Sequence, residues 1–189
     1  MGLTIKPNFR IENIVASADL QLELDLYSIA YKVYDVEYEP EQFPGAIFKL
    51  KEPKSSLLLF KNGKIICTGC KSEKEVQQAI NKTQKMLLQY ANVVHKKGKA
   101  KFTVENIVAS ANFNVILDLY SIASEVEGVE YEPEQFPGAI FKLKEPKSSL
   151  LLFKNGKIIC TGCKSEKEVQ QALKKTASVL KPYASKPED

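Results

Sequence analysis

Four cysteines, in two Cys-x-x-Cys pairs, are by type and spacing the side chains of this chain best suited to bind a metal or cycle a disulfide. Cys67 and Cys70 form one pair, Cys160 and Cys163 the other. Zinc ribbons set their two pairs about 15–20 residues apart, whereas 89 residues separate Cys70 from Cys160. On a strand, Cys67 points away from Ile66 and Thr68, toward the covered side. The expectation is of reduced, buried thiols packing as small hydrophobes, with no metal and no cofactor. His95 is the only histidine. A Ser/His/Asp or Cys/His site cannot be built from it in both halves, and no enzyme is expected. Paired carboxylates occur at Glu39 and Glu41 and again at Glu132 and Glu134, on exposed loops beside Phe43 and Phe136.

These residues come in twos because the chain is duplicated. Val36–Ala79, 44 residues, recurs without change as Val129–Ala172, offset by 93 positions. Upstream, Ile11–Ala18 matches Val104–Ala111 with one conservative difference. Two units are expected, residues 1–95 and 96–189, the second ending in a short polar tail. A pseudo-two-fold body suits a nearly two-fold ligand, and duplex DNA is the commonest of these.

Composition leaves that reading open. The 189 residues are 44% hydrophobic and 26% charged, as in ordinary soluble globular proteins. No apolar run approaches the roughly 20 residues of a membrane span. Residues 1–10 hold no apolar core of a secretory signal, and Lys6 argues against myristoylation. An intracellular, DNA-associated location is expected: cytoplasm or nucleoid in one kind of cell, nucleus in another. Net charge is +4, which permits nucleic acid without demanding it. Arg10 is the sole arginine, so bidentate reading of guanine in a major groove is not expected.

Elements must position these groups. Arg10–Ala18 alternates as a strand, with Ile11, Asn13, Val15 and Ser17 on one face. Leu24–Val33 has helical spacing, capped by Asp25. Val36–Tyr38, Ala46–Lys51, Ser56–Phe60 and Ile65–Thr68 read as strands, the last two joined through Asn62-Gly63. Ser72-Glu73-Lys74-Glu75 is a capping box opening a long helix through Val76, Ala79, Ile80, Thr83, Leu87 and Tyr90. His95–Lys101 is a basic connector. Helices segregated from antiparallel strands give an α+β fold with one sheet face uncovered. That face would carry Val15, Leu58, Phe60 and Ile66, and in the repeat Val108, Leu151, Phe153 and Ile159, a large apolar surface unsuited to idleness in water.

NIVAS on the first strand, YEPEQFPG before the third and LLLFKNGKIICTG across the hairpin, all in order and the whole pattern repeated, resemble the TATA-box-binding protein family over about Arg10 to Tyr183. The short N-terminus is more similar to archaeal members than to eukaryotic ones. The resemblance implies a pseudo-two-fold saddle, with a curved ten-stranded antiparallel sheet and four helices on its convex face. It implies minor-groove binding with apolar wedges, for which this family is itself the standard example. By the same resemblance, Asn13 and Asn106 meet base edges with Val15 and Val108 beside them. Phe43 with Phe60, and Phe136 with Phe153, are the wedges. Leu58, Ile66, Thr68, Leu151, Ile159 and Thr161 complete the floor, and Lys49, Lys64, Lys142 and Lys157 meet phosphate. Glu132 and Glu134 resemble the acidic loop that contacts a transcription factor IIB-type protein, with RNA polymerase engaged indirectly. Cys70 and Cys163 depart from the family, which usually carries a small residue such as Ala there.

The minor groove of A·T pairs offers only acceptors, and a G·C pair adds an amino donor that an apolar floor cannot satisfy. The expected function is recognition and bending of TATA-box promoter DNA to nucleate transcription. A relaxed-specificity paralogue or architectural protein and a Cys-x-x-Cys metal or redox protein are the alternatives. Off DNA, the apolar face is suited to self-association. The nearest difference between the two floors is Ile11 against Val104, one methylene and about 0.8 kcal/mol at most. Little directional preference on a near-symmetric box follows, leaving direction to a partner protein.

Overall fold

The computed structural model describes residues 5, 7–96 and 98–187. The reading of the N-terminus therefore falls largely outside the described residues, as does Lys97 of the connector. No described helix is long and apolar enough to cross a membrane.

The chain runs through strands β1 (Asn8–Asp19) and β2 (Leu22–Leu24), helix α1 (Leu26–Lys32), strands β3 (Val36–Glu37), β4 (Ala46–Leu50), β5 (Ser55–Leu59) and β6 (Lys64–Cys70), helix α2 (Glu73–Leu87) and strand β7 (Ala91–Val94). The second pass gives β8 (Phe102–Asn112), β9 (Ile116–Leu117), α3 (Leu119–Glu125), β10 (Val129–Glu130), β11 (Ala139–Leu143), β12 (Ser148–Leu152), β13 (Lys157–Cys163), α4 (Glu166–Leu180) and β14 (Ala184–Ser185). Ten strands form one antiparallel sheet in the order β10-β11-β12-β13-β8-β1-β6-β5-β4-β3. The described residues pack as two compact units. Asn13–Glu105 forms the N-terminal unit, and the residues up to Glu12 join those from Asn106 onward in the C-terminal unit.

Period-two alternation decides which face is covered. Ala46, Phe48 and Leu50 of β4 are buried, as are Leu57 and Leu59 of β5 and Ile65 and Cys67 of β6. Against them α2 packs Val76, Ala79, Ile80 and Leu87, while β2 and α1 add Leu22, Leu24, Leu26 and Ile29. The C-terminal unit repeats this with Ala139, Phe141, Leu150, Leu152, Ile158 and Cys160 under Val169, Ala172, Leu173 and Leu180.

Local signals hold with three adjustments. Asp25 caps α1 through Ser28, but the helix starts at Leu26 because Leu22–Leu24 pairs with Ala91–Val94. Three residues carry too little pattern to announce a strand whose partner lies beyond the long helix. The hairpin loop is three residues, Lys61 to Gly63, closed by Gly63 N–H to the Phe60 carbonyl (2.9 Å) and Phe60 N–H to the Lys64 carbonyl (3.0 Å). Only its glycine has positive φ: a turn followed by a left-handed glycine. At α2, Ser72 Oγ accepts the Glu75 N–H, while Glu75 reaches back to the Lys71 N–H rather than to that of Ser72.

Candidate nucleic-acid interface

The uncovered face is ordered in cross-strand rows. In the N-terminal unit Ile47, Leu58, Ile66 and Ser17 pair successively across β4, β5, β6 and β1, and Lys49, Ser56 and Thr68 form the adjoining row. The C-terminal unit repeats them as Ile140, Leu151, Ile159 and Ser110, and Lys142, Ser149 and Thr161. All the floor residues expected from the sequence, Val15 and Val108 included, lie on this face at intermediate or open exposure. Ile47, Ile140, Ser56 and Ser149 belong with them and were not singled out. The alternation of Ala46–Leu50 was sufficient to find Ile47 and Ile140.

Asn13 is fixed by a defect in the sheet. Ile14 pairs with Cys70 and Ala16 with Cys67, so β6 carries an extra residue at Thr68-Gly69. Gly69 sits at φ +98°, a conformation side chains disfavour, and a Cβ there would lie 3.3 Å from the Ser55 backbone. The N–H of Gly69 is donated to Asn13 Oδ1 at 2.7 Å. Because that N–H can only donate, the amide orientation is set: oxygen inward, Nδ2 carrying the protons. One of these goes to Thr68 Oγ1 at 3.1 Å, and the amide keeps a second for an acceptor. Asn106 repeats the arrangement with Gly162 N–H (2.7 Å) and Thr161 (3.2 Å).

The bulge also accounts for the cysteines. It shifts the alternation by one, so Cys67 and Cys70, three apart, are both fully buried on the helix side. Their sulfurs are 3.9 Å apart, and those of Cys160 and Cys163 3.8 Å. The hydrogen bond with Cys70, then burial, pushes the Cys67 thiol far above its usual range. The same bond lowers the Cys70 thiol, and the two thiols titrate as a pair. All four are free thiols, and no group of three or more metal-ligating side chains occurs among the described residues.

The phenylalanines stand in edge-on pairs. Phe43 and Phe60 have centroids 6.1 Å apart, Phe136 and Phe153 6.0 Å. Phe43 is 42% exposed and Phe136 41%, unusual for such large apolar groups. Gly45 makes room: a Cβ there would lie 2.6 Å from the Phe43 ring, and one at Gly138 2.8 Å from the Phe136 ring. In the sequence each glycine simply follows a Phe-Pro pair, with no local sign of which ring it accommodates. Carbonyls of Glu39 and Glu132 accept the N–H groups of Phe43 and Phe136, each at 3.0 Å, so the acidic loops shape the aromatic edge. Glu39, Glu41, Glu132 and Glu134 are exposed.

Cations rim the face. Lys49 holds Glu37 at 2.8 Å and Lys142 holds Glu130 at 2.7 Å, in open solvent. The hydrogen bond to Glu37 raises the Lys49 ammonium above its usual range. Lys64 lines an open hollow of about 620 Å³ with Phe60, Ile66, Lys101 and Thr103. Lys157 lines one of about 860 Å³ with Phe153, Val108, Arg10 and Glu12. Here the duplicates differ more than the offset comparison of Ile11 with Val104 suggested. Arg10, whose counterpart is Thr103, faces the hollow and holds Glu12 at 3.0 Å. Ser110 donates to the same carboxylate at 2.5 Å, and Ser17 donates to Glu105 at 2.5 Å.

An apolar face with oriented amide donors, paired rings and a cationic rim can cover an acceptor-lined groove in a polyanion. Comparison with known proteins agrees. The family described as Transcription factor TFIID (or TATA-binding protein, TBP) matches residues 8–90 and again 101–183. The TATA-box-binding protein of Aeropyrum pernix is 45% identical over 177 residues, 93% of this chain and 86% of that one. That of Sulfolobus acidocaldarius is 48% identical over 165 residues, covering 87% and 83%. The solved structure of Methanococcus jannaschii TBP superposes with a TM-score of 0.85 at 41% identity, covering 93% of this chain and 99% of that one. The duplicated unit, the ten-stranded sheet with four helices and these similarities establish that the chain belongs to the TATA-box-binding protein family.

Proposed function

We propose that this chain recognises TATA-box promoter DNA through the minor groove, deforms it, and nucleates assembly of a transcription initiation complex. The observation that carries the reading is the pinned asparagine amide of each unit, a donor standing on an accessible apolar floor. Adenine N3 and thymine O2 are acceptors and take the free Nδ2 proton of Asn13 or Asn106. A guanine amino group against Leu58, Ile66, Leu151 or Ile159 is left without a partner, at about 1–3 kcal/mol, or about five- to hundredfold in affinity per G·C pair.

Phe43 with Phe60, and Phe136 with Phe153, insert at flexible pyrimidine–purine steps, where unstacking costs least. Lys64 and Lys157 meet phosphates directly. Lys49 and Lys142 exchange Glu37 and Glu130 for phosphate, and both pairs are too exposed to resist the exchange. The loop with Glu132 and Glu134 offers its carboxylates to a IIB-type factor, which recruits polymerase. Without DNA, the apolar faces of two copies cover each other.

Gel-shift titration on a TATA duplex and G·C-substituted versions, with and without a IIB-type factor, tests this. The TATA duplex alone is retained tightly, and each G·C substitution weakens retention. Charge reversal at Glu132 and Glu134 abolishes the supershift while leaving DNA affinity intact. Equal affinity for both duplexes rules out the minor-groove floor.

A further inference from the structure

Each Cys-x-x-Cys pair brackets the bulge that aims an asparagine. Cys67, Thr68, Gly69 and Cys70 are consecutive on β6, and the middle two hold Asn13. In a regular strand, residues three apart point to opposite faces. Here the bulge brings both sulfurs to the helix side, 3.9 Å apart and fully buried. The C-terminal unit repeats this at 3.8 Å, with Thr161 and Gly162 holding Asn106. Packing asks only for a small apolar group at each position. Two thiols in contact, flanking the same dipeptide in both units, supply in addition a reversible covalent bond.

The backbone permits that bond. Cys67 and Cys70 stand opposite Ala16 and Ile14, and Cys160 and Cys163 opposite Ala109 and Ile107. Two residues of strand at about 3.4 Å each put the Cα atoms of a pair about 6.8 Å apart. That is the upper end of the roughly 4.4–6.8 Å a disulfide spans, and contraction toward the common span of about 5.5–6 Å shortens the bulge by about 1 Å. The whole of it falls on Thr68-Gly69, where glycine at φ +98° has the freedom to move. A displacement of about 1 Å takes the 2.7 Å contact from Gly69 N–H to Asn13 Oδ1 out of hydrogen-bonding range.

We propose that the two cysteine pairs are reversible dithiol–disulfide sites, and that only the reduced chain keeps Asn13 and Asn106 pinned. The consequence for DNA rests on the minor-groove reading above; the thiol chemistry does not. The oxidant is a small disulfide, RSSR. One cysteine of a pair attacks it as the thiolate, forming a mixed disulfide and expelling RS⁻. The second cysteine attacks the protein sulfur of that mixed disulfide and expels the other RS⁻. The two thiol protons go to the two released thiolates, so the pair loses two electrons and RSSR becomes two RSH. Buried thiols react slowly, and access comes through local opening. Gly69 and Lys71, on either side of Cys70, are exposed, as are Gly162 and Lys164 beside Cys163.

The test uses the full chain in glutathione buffers of increasing oxidised fraction. Free thiols are counted by alkylation and mass after denaturation, and TATA affinity is read by gel shift. Thiols are expected to disappear in pairs, without gain of glutathione mass or of a crosslinked dimer. TATA affinity then falls about tenfold or more and returns with dithiothreitol. Cys70→Ala with Cys163→Ala removes one partner from each pair. Reduced, this double variant binds TATA as the parent does, and oxidised glutathione leaves its affinity unchanged. Heteronuclear NMR reads the same switch without DNA and without a variant: the side-chain Nδ2 signals of Asn13 and Asn106 move when the parent is oxidised. Four results overturn the proposal: thiols that persist at every glutathione ratio, lasting glutathione adducts, an internal disulfide that leaves the asparagine signals in place, or equal oxidant sensitivity in the double variant. Asparagine signals that move on oxidation in a chain whose reduced form has no preference for TATA support the thiol switch and refute promoter recognition, so the two failures are distinct.

Discussion

The two units hold the same side chains over most of the open sheet face and diverge chiefly away from it. On the open face, the paired phenylalanines, pinned asparagines, apolar rows and lysines coincide position by position, and geometry follows: ring pairs at 6.1 and 6.0 Å, amide contacts at 2.7 Å in both. Behind it, α1 and its exit display Tyr31 and Tyr34, 89% and 83% exposed, where α3 and its exit carry Ser124 and Glu127. The end of α2 shows Leu88 where Lys181 stands. Equal side chains offer a near-symmetric groove equal free energy in either direction. Direction must be encoded where the units differ, and Arg10 against Thr103, Asn8 against Lys101 and Asn112 against Asp19 are differences that line the hollows themselves.

Removing one unit's wedge at a time breaks the equivalence most severely. Phe43→Ala with Phe60→Ala, or Phe136→Ala with Phe153→Ala, each costs about hundredfold in TATA affinity and abolishes one of two kinks, read by circular-permutation gel shift. The quadruple variant loses both. Intact bending in the quadruple variant removes the wedge role altogether. Next in size, Asn13→Ala and Asn106→Ala each leave a glycine N–H without its acceptor and the groove without its donor. Each lowers affinity about tenfold and lowers Tm equally in a thermal melt; unequal losses mean the two bulges are not equivalent.

Lys64→Gln and Lys157→Gln produce a smaller, shared effect. The slope of log affinity against log salt falls by about 0.9 for each, and an unchanged slope for either places that lysine outside phosphate reach. The least effect sharpens the comparison instead. Site-directed cleavage from a reagent tethered to one unit is expected to show a few-fold orientation bias, since arginine favours a narrow A·T minor groove. Arg10→Thr should erase it, and a bias that survives in Arg10→Thr moves the asymmetry elsewhere.

Much of this was legible from residue order. Asp25 and Ser72 announce helix starts because caps act over three residues, and Lys61-Asn62-Gly63 announces a hairpin because glycine alone tolerates the loop's last position. The open floor follows from alternation in Ser56–Phe60 and Ile65–Thr68. Gly45 and Gly138 were hidden because nothing local shows which ring a glycine makes room for.

The amino-acid order by itself determined the duplication, the element types and the apolar face, since each is a pattern of period two, of helical period, or of 93. Tertiary structure alone decided that a bulge at Gly69 turns Cys70 inward and orients Asn13, that Leu22–Leu24 is a strand, and that Gln84 ties down the connector. These depend on partners 16 to 72 positions away. Bringing such partners together has an entropic cost that no local segment offsets, and it is recovered only when the whole unit closes around its core.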